Sequence, residues 1–313
     1  MQGTARAVNG AAALSTVELD RISKAYGEKI AVQDLSLRIE PGTMFGLLGP
    51  NGAGKTSTIR MMIGITLPDS GTVRLFDQPF HRGLLERVGY LPEERGLYPK
   101  MKVIDQLVFL GQLHGLDAGT AAQRAGEWCQ RLQIGDCLEN TIDSLSKGMQ
   151  QKIQFIATLL HDPDLIIMDE PFSGLDPVNA SLLRDALIEL KKAGRAILFS
   201  THRMEQVEKL CDSIALIDSG RVVLSGSMRE VKSRFKRNRV IVEFEGDESF
   251  LRHDAVADFE NHAGHAEIRL KDGADPQLLL RAAAECARVF RFDLMEPSLE
   301  EIFIQTVGGK VDA

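Results

Sequence analysis

The chain has 313 residues, enough for about two domains at ~150 residues each, so both can bury a core without disulfides or metals. Its 44% hydrophobic and 26% charged residues exclude global disorder, a collagen-like repeat and a coiled-coil rod, and describe a folded soluble protein. A net charge of −7, from 37 basic and 44 acidic residues, leaves no electrostatic footprint for non-specific nucleic-acid binding, and no nucleic-acid partner is expected.

Residues 1–15 hold one arginine and no apolar core region, so they read as a disordered tail rather than a signal peptide. From Thr16 short β-rich runs alternate with helical ones, the pattern of a sheet covered by helices. Thr16–Ser23 and Leu35–Ile39 alternate like half-exposed strands. Met44–Leu48 is a short buried strand running into a glycine-rich turn, after which a helix starts at Gly54–Lys55 and continues through Ile63. Between residues 101 and 161 three stretches, Val103–Leu116, Ala121–Ile134 and Met149–Leu160, carry apolar residues at three-to-four spacing and form a helical insert. Strand signals return at Asp164–Met168, Ala196–Ser200 and Ser213–Ile217. Helical Val178–Lys192 and Met204–Leu210 lie between them, as parallel crossovers require.

A domain boundary is expected near residues 225–238, dividing the chain into units over 16–228 and 229–313. Ser227 can cap a helix running to Phe235. Beyond it Val240–Glu245, Ala255–Phe259, Ala266–Leu270 and Val289–Leu294 read as strands, with Pro276–Ala287 a helix between the last two. Pro297–Phe303 is a capping-box start to a final helix. The basic run Lys232–Arg239 is a solvated helix end or a contact for anionic headgroups. His253, His262 and His265 have neither cysteines nearby nor an i, i+4 pair, so a metal role is not favoured. No run nears the ~18 apolar residues of a membrane span. The scattered Cys129, Cys137, Cys211 and Cys286 read as free thiols in a reducing compartment.

Two motifs carry chemistry. Gly49-Pro50-Asn51-Gly52-Ala53-Gly54-Lys55-Thr56, with Ser57 following, is a complete GxxxxGK[ST] between a buried strand and a helix. Its glycines let successive N–H groups turn inward onto phosphate oxygens, reinforced by the helix N-terminus. Lys55 is placed to reach the β- and γ-phosphates and Thr56 to ligate Mg²⁺. The second motif, Leu165–Glu170, is an apolar strand ending in adjacent carboxylates. Such an ending is common by itself, but beside the glycine-rich loop its diverging side chains can serve two jobs, Asp169 supporting hydrated Mg²⁺ and Glu170 polarising the attacking water.

With Leu145-Ser146-Lys147-Gly148-Met149-Gln150-Gln151 added, 23 residues separating Ser146 from Asp169, the sequence resembles the ATP-binding cassette (ABC) ATPases. Ser173-Gly174-Leu175-Asp176 resembles their D-loop, Ser200-Thr201-His202 their switch-histidine motif, and Tyr26 stands where their adenine-stacking aromatic does, although a tyrosine before glycine is also a common turn residue. The resemblance spans roughly two-thirds of the chain, Thr16 to Gly226. It implies a P-loop NTPase fold, a mixed α/β sheet with a helical subdomain, followed here by a small α+β module. Ser146 is expected to cap the helix Lys147–Leu160 as well as face a γ-phosphate. His202 is expected to sense the γ-phosphate, and Asp176 to lie at the nucleotide interface.

Two departures stand out. Lysine and methionine replace the third and fifth residues of the family's usual LSGGQ. Glu93 stands where most members have a Mg²⁺-touching glutamine, and GYLPEERGLYPKMKV resembles prokaryotic exporter ATPases of the sodium- and drug-efflux kind. The resemblance implies ATP and Mg²⁺ as ligands and a second ATP-binding subunit arranged head to tail. It also implies a multi-span permease that docks near Glu94–Asp105, with the chain peripheral on the cytoplasmic face of the cell membrane. The alternative is a soluble ABC ATPase working on ribosomes, DNA or cofactor assembly.

Overall fold

The computed structural model describes residues 15–94, 96–235 and 238–308. Of the expected disordered tail over residues 1–15, residues 1–14 lie outside the described residues, as do Lys236 and Arg237 of the basic run. Ser15 is instead buried and held, its N–H and hydroxyl donating to Asp77 Oδ1. The backbone divides into two compact units, Met1–Gly226 and Ser227–Ala313.

The first unit opens with the antiparallel pair β1 (Val17–Tyr26) and β2 (Lys29–Ile39), matched from Val17 opposite Ile39 to Tyr26 opposite Lys29. Both strands outrun the expected segments, because irregularities in the register interrupt the two-residue alternation toward the hairpin tip. Then come β3 (Met44–Leu48), buried throughout, α1 (Lys55–Met62), β4 (Ser70–Leu75), β5 (Gln78–Pro79) and β6 (Val88–Leu91). The strand β4 was not expected: its first three residues, Ser-Gly-Thr, are exposed and read as a turn, yet it pairs with β1.

The insert is three helices, α2 (Val103–Leu113), α3 (Ala118–Arg131) and α4 (Lys147–Leu159). The first stops short of the expected Leu116 beside Gly115, which adopts φ +85°, and the second starts early because Asp117 accepts the Thr120 N–H. After them run β7 (Leu165–Asp169), α5 (Pro177–Lys192), β8 (Ala196–Thr201), α6 (Met204–Leu210), β9 (Ser213–Asp218) and β10 (Arg221–Ser227). The main sheet has the order β10-β9-β3-β8-β7-β6, with β3 parallel to β8 and β9, and β7 parallel to β6 and β8. Its central strands are buried on both faces, as parallel strands covered by helices must be. This order sets the carboxyl ends of β3, β8 and β7 side by side, where α/β sheets bind ligands. The fold is that of an α/β P-loop NTPase.

The second unit begins with α7 (Met228–Ser233), started by a Ser227–Glu230 capping box. Four antiparallel strands follow, β11 (Arg239–Gly246), β12 (Val256–Asn261), β13 (His265–Leu270) and β14 (Ala287–Met295), in the order β12-β13-β11-β14. The helix α8 (Pro276–Cys286) packs Leu279 and Ala283 into their core, and α9 (Leu299–Phe303) starts from a Ser298–Glu301 capping box. The described ends of the basic run are not free in solvent: Lys232 is mostly covered and 3.9 Å from Glu296, and Arg239 is paired with Glu267 and Glu301. His253, His262 and His265 face separate partners, the Ala255 N–H, Glu260 and Glu243. Among the described residues, no helix is long and apolar enough to cross a membrane.

Candidate active site

The glycine-rich loop leaves β3 at Gly49, where a Cβ would come within 2.2 Å of the Ile217 carbonyl, and enters α1 at Gly54, where one would meet the Ala31 carbonyl at 2.4 Å. Both have positive φ, +149° and +111°, so glycine is required twice over, by space and by conformation. Lys55 is 7% exposed and folds back into the loop, its Nζ donating to the carbonyls of Gly49 at 2.8 Å and Pro50 at 3.1 Å. Burial lowers its pKa, while the charges of Glu170, Asp169 and Glu93 pull the other way.

The two carboxylates diverge at the end of β7, where Asp169 closes the strand and Glu170 lies just beyond it. Asp169 Oδ2 accepts the Thr56 hydroxyl at 2.9 Å and its Oδ1 accepts the Ser200 hydroxyl. Glu170 turns into the left-handed region, φ +52°, which directs its side chain toward β8. There Oε2 accepts the Thr201 hydroxyl at 3.0 Å, and Oε1 accepts the His202 N–H at 3.0 Å and lies 2.7 Å from His202 Nδ1. The Glu170 side chain is 12% exposed and that of His202 54%, so the pair forms the floor and the open edge of one cleft.

These groups line a cavity of about 390 Å³ together with Tyr26, Asn51, Gly52, Gly54, Ser57 and Glu93. Lys29 and Ala31, neither singled out in the sequence, also line it, as does Ser173 of the D-loop-like segment. Gly49 and Pro50 contribute through their carbonyls, and Ala53 is buried beneath the loop. Tyr26 is 46% exposed, with the Lys24 ammonium 5.8 Å from its ring centre. The oxygen set of Thr56, Asp169 and the rim carboxylate Glu93 fits a hard divalent cation, and Gly52, with open space where a Cβ would stand, leaves room for a phosphate chain.

Ser146, Gly148 and Asp176 do not line this cavity. Ser146 is exposed and caps α4 by accepting the Met149 N–H at 3.3 Å. Gly148 lies against the Leu175 side chain and the Gly174 carbonyl, at 3.5 and 3.6 Å from its ideal Cβ. Asp176 caps α5 through the Asn179 N–H at 2.9 Å, and those Asn179 hydrogen bonds hold its carboxyl below the usual range.

Sequence reasoning missed how α4 grips the site. Gln151 Nε2 donates to the Pro171 carbonyl, next to Glu170, and Gln154 Nε2 donates to the carbonyls of Pro92 and Glu94, on either side of Glu93. The available signal was a pair of glutamines on the buried face of the helix, where an amide needs partners.

A family profile described as "ABC transporter" matches residues 32–173, and one described as "ATP-binding protein DrrA1-3-like, C-terminal domain" matches residues 226–307. The chain is 43% identical to an uncharacterized ABC transporter ATP-binding protein, YhaQ, of Bacillus subtilis (strain 168), over 93% of this chain and 98% of that protein. It is 38% identical to Nod factor export ATP-binding protein I of Cupriavidus metallidurans, over 94% of this chain and 98% of that protein. The fold is similar to a solved structure titled "Structure of ATP binding subunit of ABC transporter", with a TM-score of 0.65 and 29% identity over 71% of this chain and 93% of the other.

Proposed function

The chain belongs to the ATP-binding proteins of ABC transporters, a family of ATPases, and on that premise we propose that it is the motor subunit of an exporter. In this reading the cavity takes ATP, with Tyr26 against the adenine, the amides of residues 49–57 around the phosphates and Lys55 swung out of its carbonyl contacts onto them. Thr56, Asp169 and Glu93 would hold Mg²⁺, which supplies charge neutralisation at the phosphate oxygens. Glu170, fixed by Thr201 and His202, accepts a proton from the attacking water, and His202 faces the γ-phosphate from the open edge. The observation that carries the reading is the convergence of Lys55, the Thr56–Asp169 pair and the Glu170–His202 pair on one cavity.

Ser146 and Gly148 lie outside that cavity, which supports a two-chain site: the capped α4 N-terminus of one subunit presents its N–H groups to the nucleotide on its partner. ATP then holds two subunits together, and hydrolysis releases them. We propose that the unit over residues 16–228 does this work and that the unit over 229–313 is an accessory module. A permease supplied by another chain would dock near residues 94–105, with this subunit peripheral on the cytoplasmic face. The Nod factor export relative supports the export direction. Purification from detergent-solubilised membranes tests the reading. A multi-span protein is expected to co-purify, whereas a subunit recovered wholly from cytosol with ribosomes, DNA or assembly factors would overturn it.

A further inference from the structure

The buried amide of Gln154 has no task in the mechanism above. Gln154 sits on α4 two turns beyond the Ser146 cap, is 6% exposed, and spends both donor hydrogens on the carbonyls that flank Glu93, at 3.1 Å to Pro92 and 3.2 Å to Glu94. Its Oε1 is buried with no partner among the described residues. The amide cannot be turned over, because an oxygen would then face two carbonyls, so the geometry is specified by donation alone. The helix is also seated hard on β6: a Cβ on Gly89 would lie 2.4 Å from the Thr158 carbonyl one turn further along. Pro92 to Glu94 continue directly from β6, and Glu93 lines the nucleotide cavity.

We propose that Gln154 is a positioning residue that sets the place of the Glu93 carboxylate in the nucleotide cavity and makes that place follow α4. The inference rests on the reading of Glu93 as part of the ATP site. A shift of α4 caused by a second subunit's nucleotide at Ser146 is delivered through one rigid helix and two hydrogen bonds to the rim of the first subunit's own cavity. The carbonyl pair gives leverage, since moving both ends of a three-residue segment moves the side chain between them.

The test is a double-mutant cycle in the full chain, using Gln154→Met, which keeps the volume and removes the donors, and Glu93→Ala. Steady-state kcat and KM for ATP are measured for all four proteins, with thermal unfolding and backbone hydrogen exchange over residues 91–98 as readouts independent of turnover. The expectation is that each single change lowers kcat about tenfold with KM for ATP moved less than about threefold, and that the double variant is no worse than Glu93→Ala. Gln154→Met also speeds exchange over residues 91–98 without lowering the unfolding midpoint enough to explain the kcat loss. Additive losses in the double variant, or a Gln154→Met protein with wild-type kcat and exchange, overturn the proposal while leaving the ATP-site reading standing. A Glu93→Ala protein with wild-type kcat overturns both, because Gln154 then has nothing to act through.

Discussion

Glu170 Oε1 lies 2.7 Å from His202 Nδ1 and accepts the His202 backbone N–H at 3.0 Å, so one carboxylate oxygen is gripped twice by one residue. With Glu170 ionised, that contact assigns a proton to Nδ1. Thr201 occupies the other carboxylate oxygen, so Glu170 cannot rotate away from the cavity without losing three contacts.

His202→Ala removes the ring but keeps the backbone donor. Turnover is expected to fall by about 10²-fold, the scale of a misdirected general base, with ATP affinity changed far less. Parallel nucleotide titration and steady-state ATPase assays check this, and equal losses in binding and turnover would assign His202 to binding instead.

Because Ser146 does not line the cavity that Lys55 lines, a two-chain site predicts complementation. Lys55→Ala and Ser146→Arg should each be nearly inactive. Co-expressed, they form mixed dimers in which one site retains both wild-type groups, and about a quarter of wild-type ATPase should return. Purified mixed protein with no more activity than either variant would contradict the head-to-tail arrangement.

Most of the framework was legible because parallel strands buried on both faces must be continuous apolar runs, as Met44–Leu48 and Leu165–Met168 are. The glycine loop declared its own geometry, since only glycine fits beside Ile217 and Ala31. What stayed hidden was pairing without a local pattern. The exposed Ser-Gly-Thr start of β4 carries no alternation, and the far halves of β1 and β2 lose theirs to register shifts. The grip of Gln154 on Pro92 and Glu94 spans 60 or more residues, beyond the reach of any periodicity.

A pH effect follows from the His114–His161 stack, whose rings are parallel within 6° at 3.8 Å. Burial, with the His114 charge second, pushes His161 down to about 4. Between about pH 6.5 and 4 the unfolded chain therefore binds a proton that the folded chain refuses, so stability falls as pH drops through that window and levels off below it. Urea midpoints measured from pH 7 to 5 should decline in the wild type and decline less in His161→Gln; identical slopes would remove His161 as the cause.

The most direct measurement is steady-state ATP hydrolysis by Glu170→Gln beside an equilibrium ATP-binding titration of the same protein. The amide keeps the size and the hydrogen-bond reach of the carboxylate but cannot take the proton, so binding should persist while turnover falls by about 10²-fold or more. A Glu170→Gln chain that hydrolyses ATP at close to the wild-type rate would contradict the assignment of this cavity's chemistry.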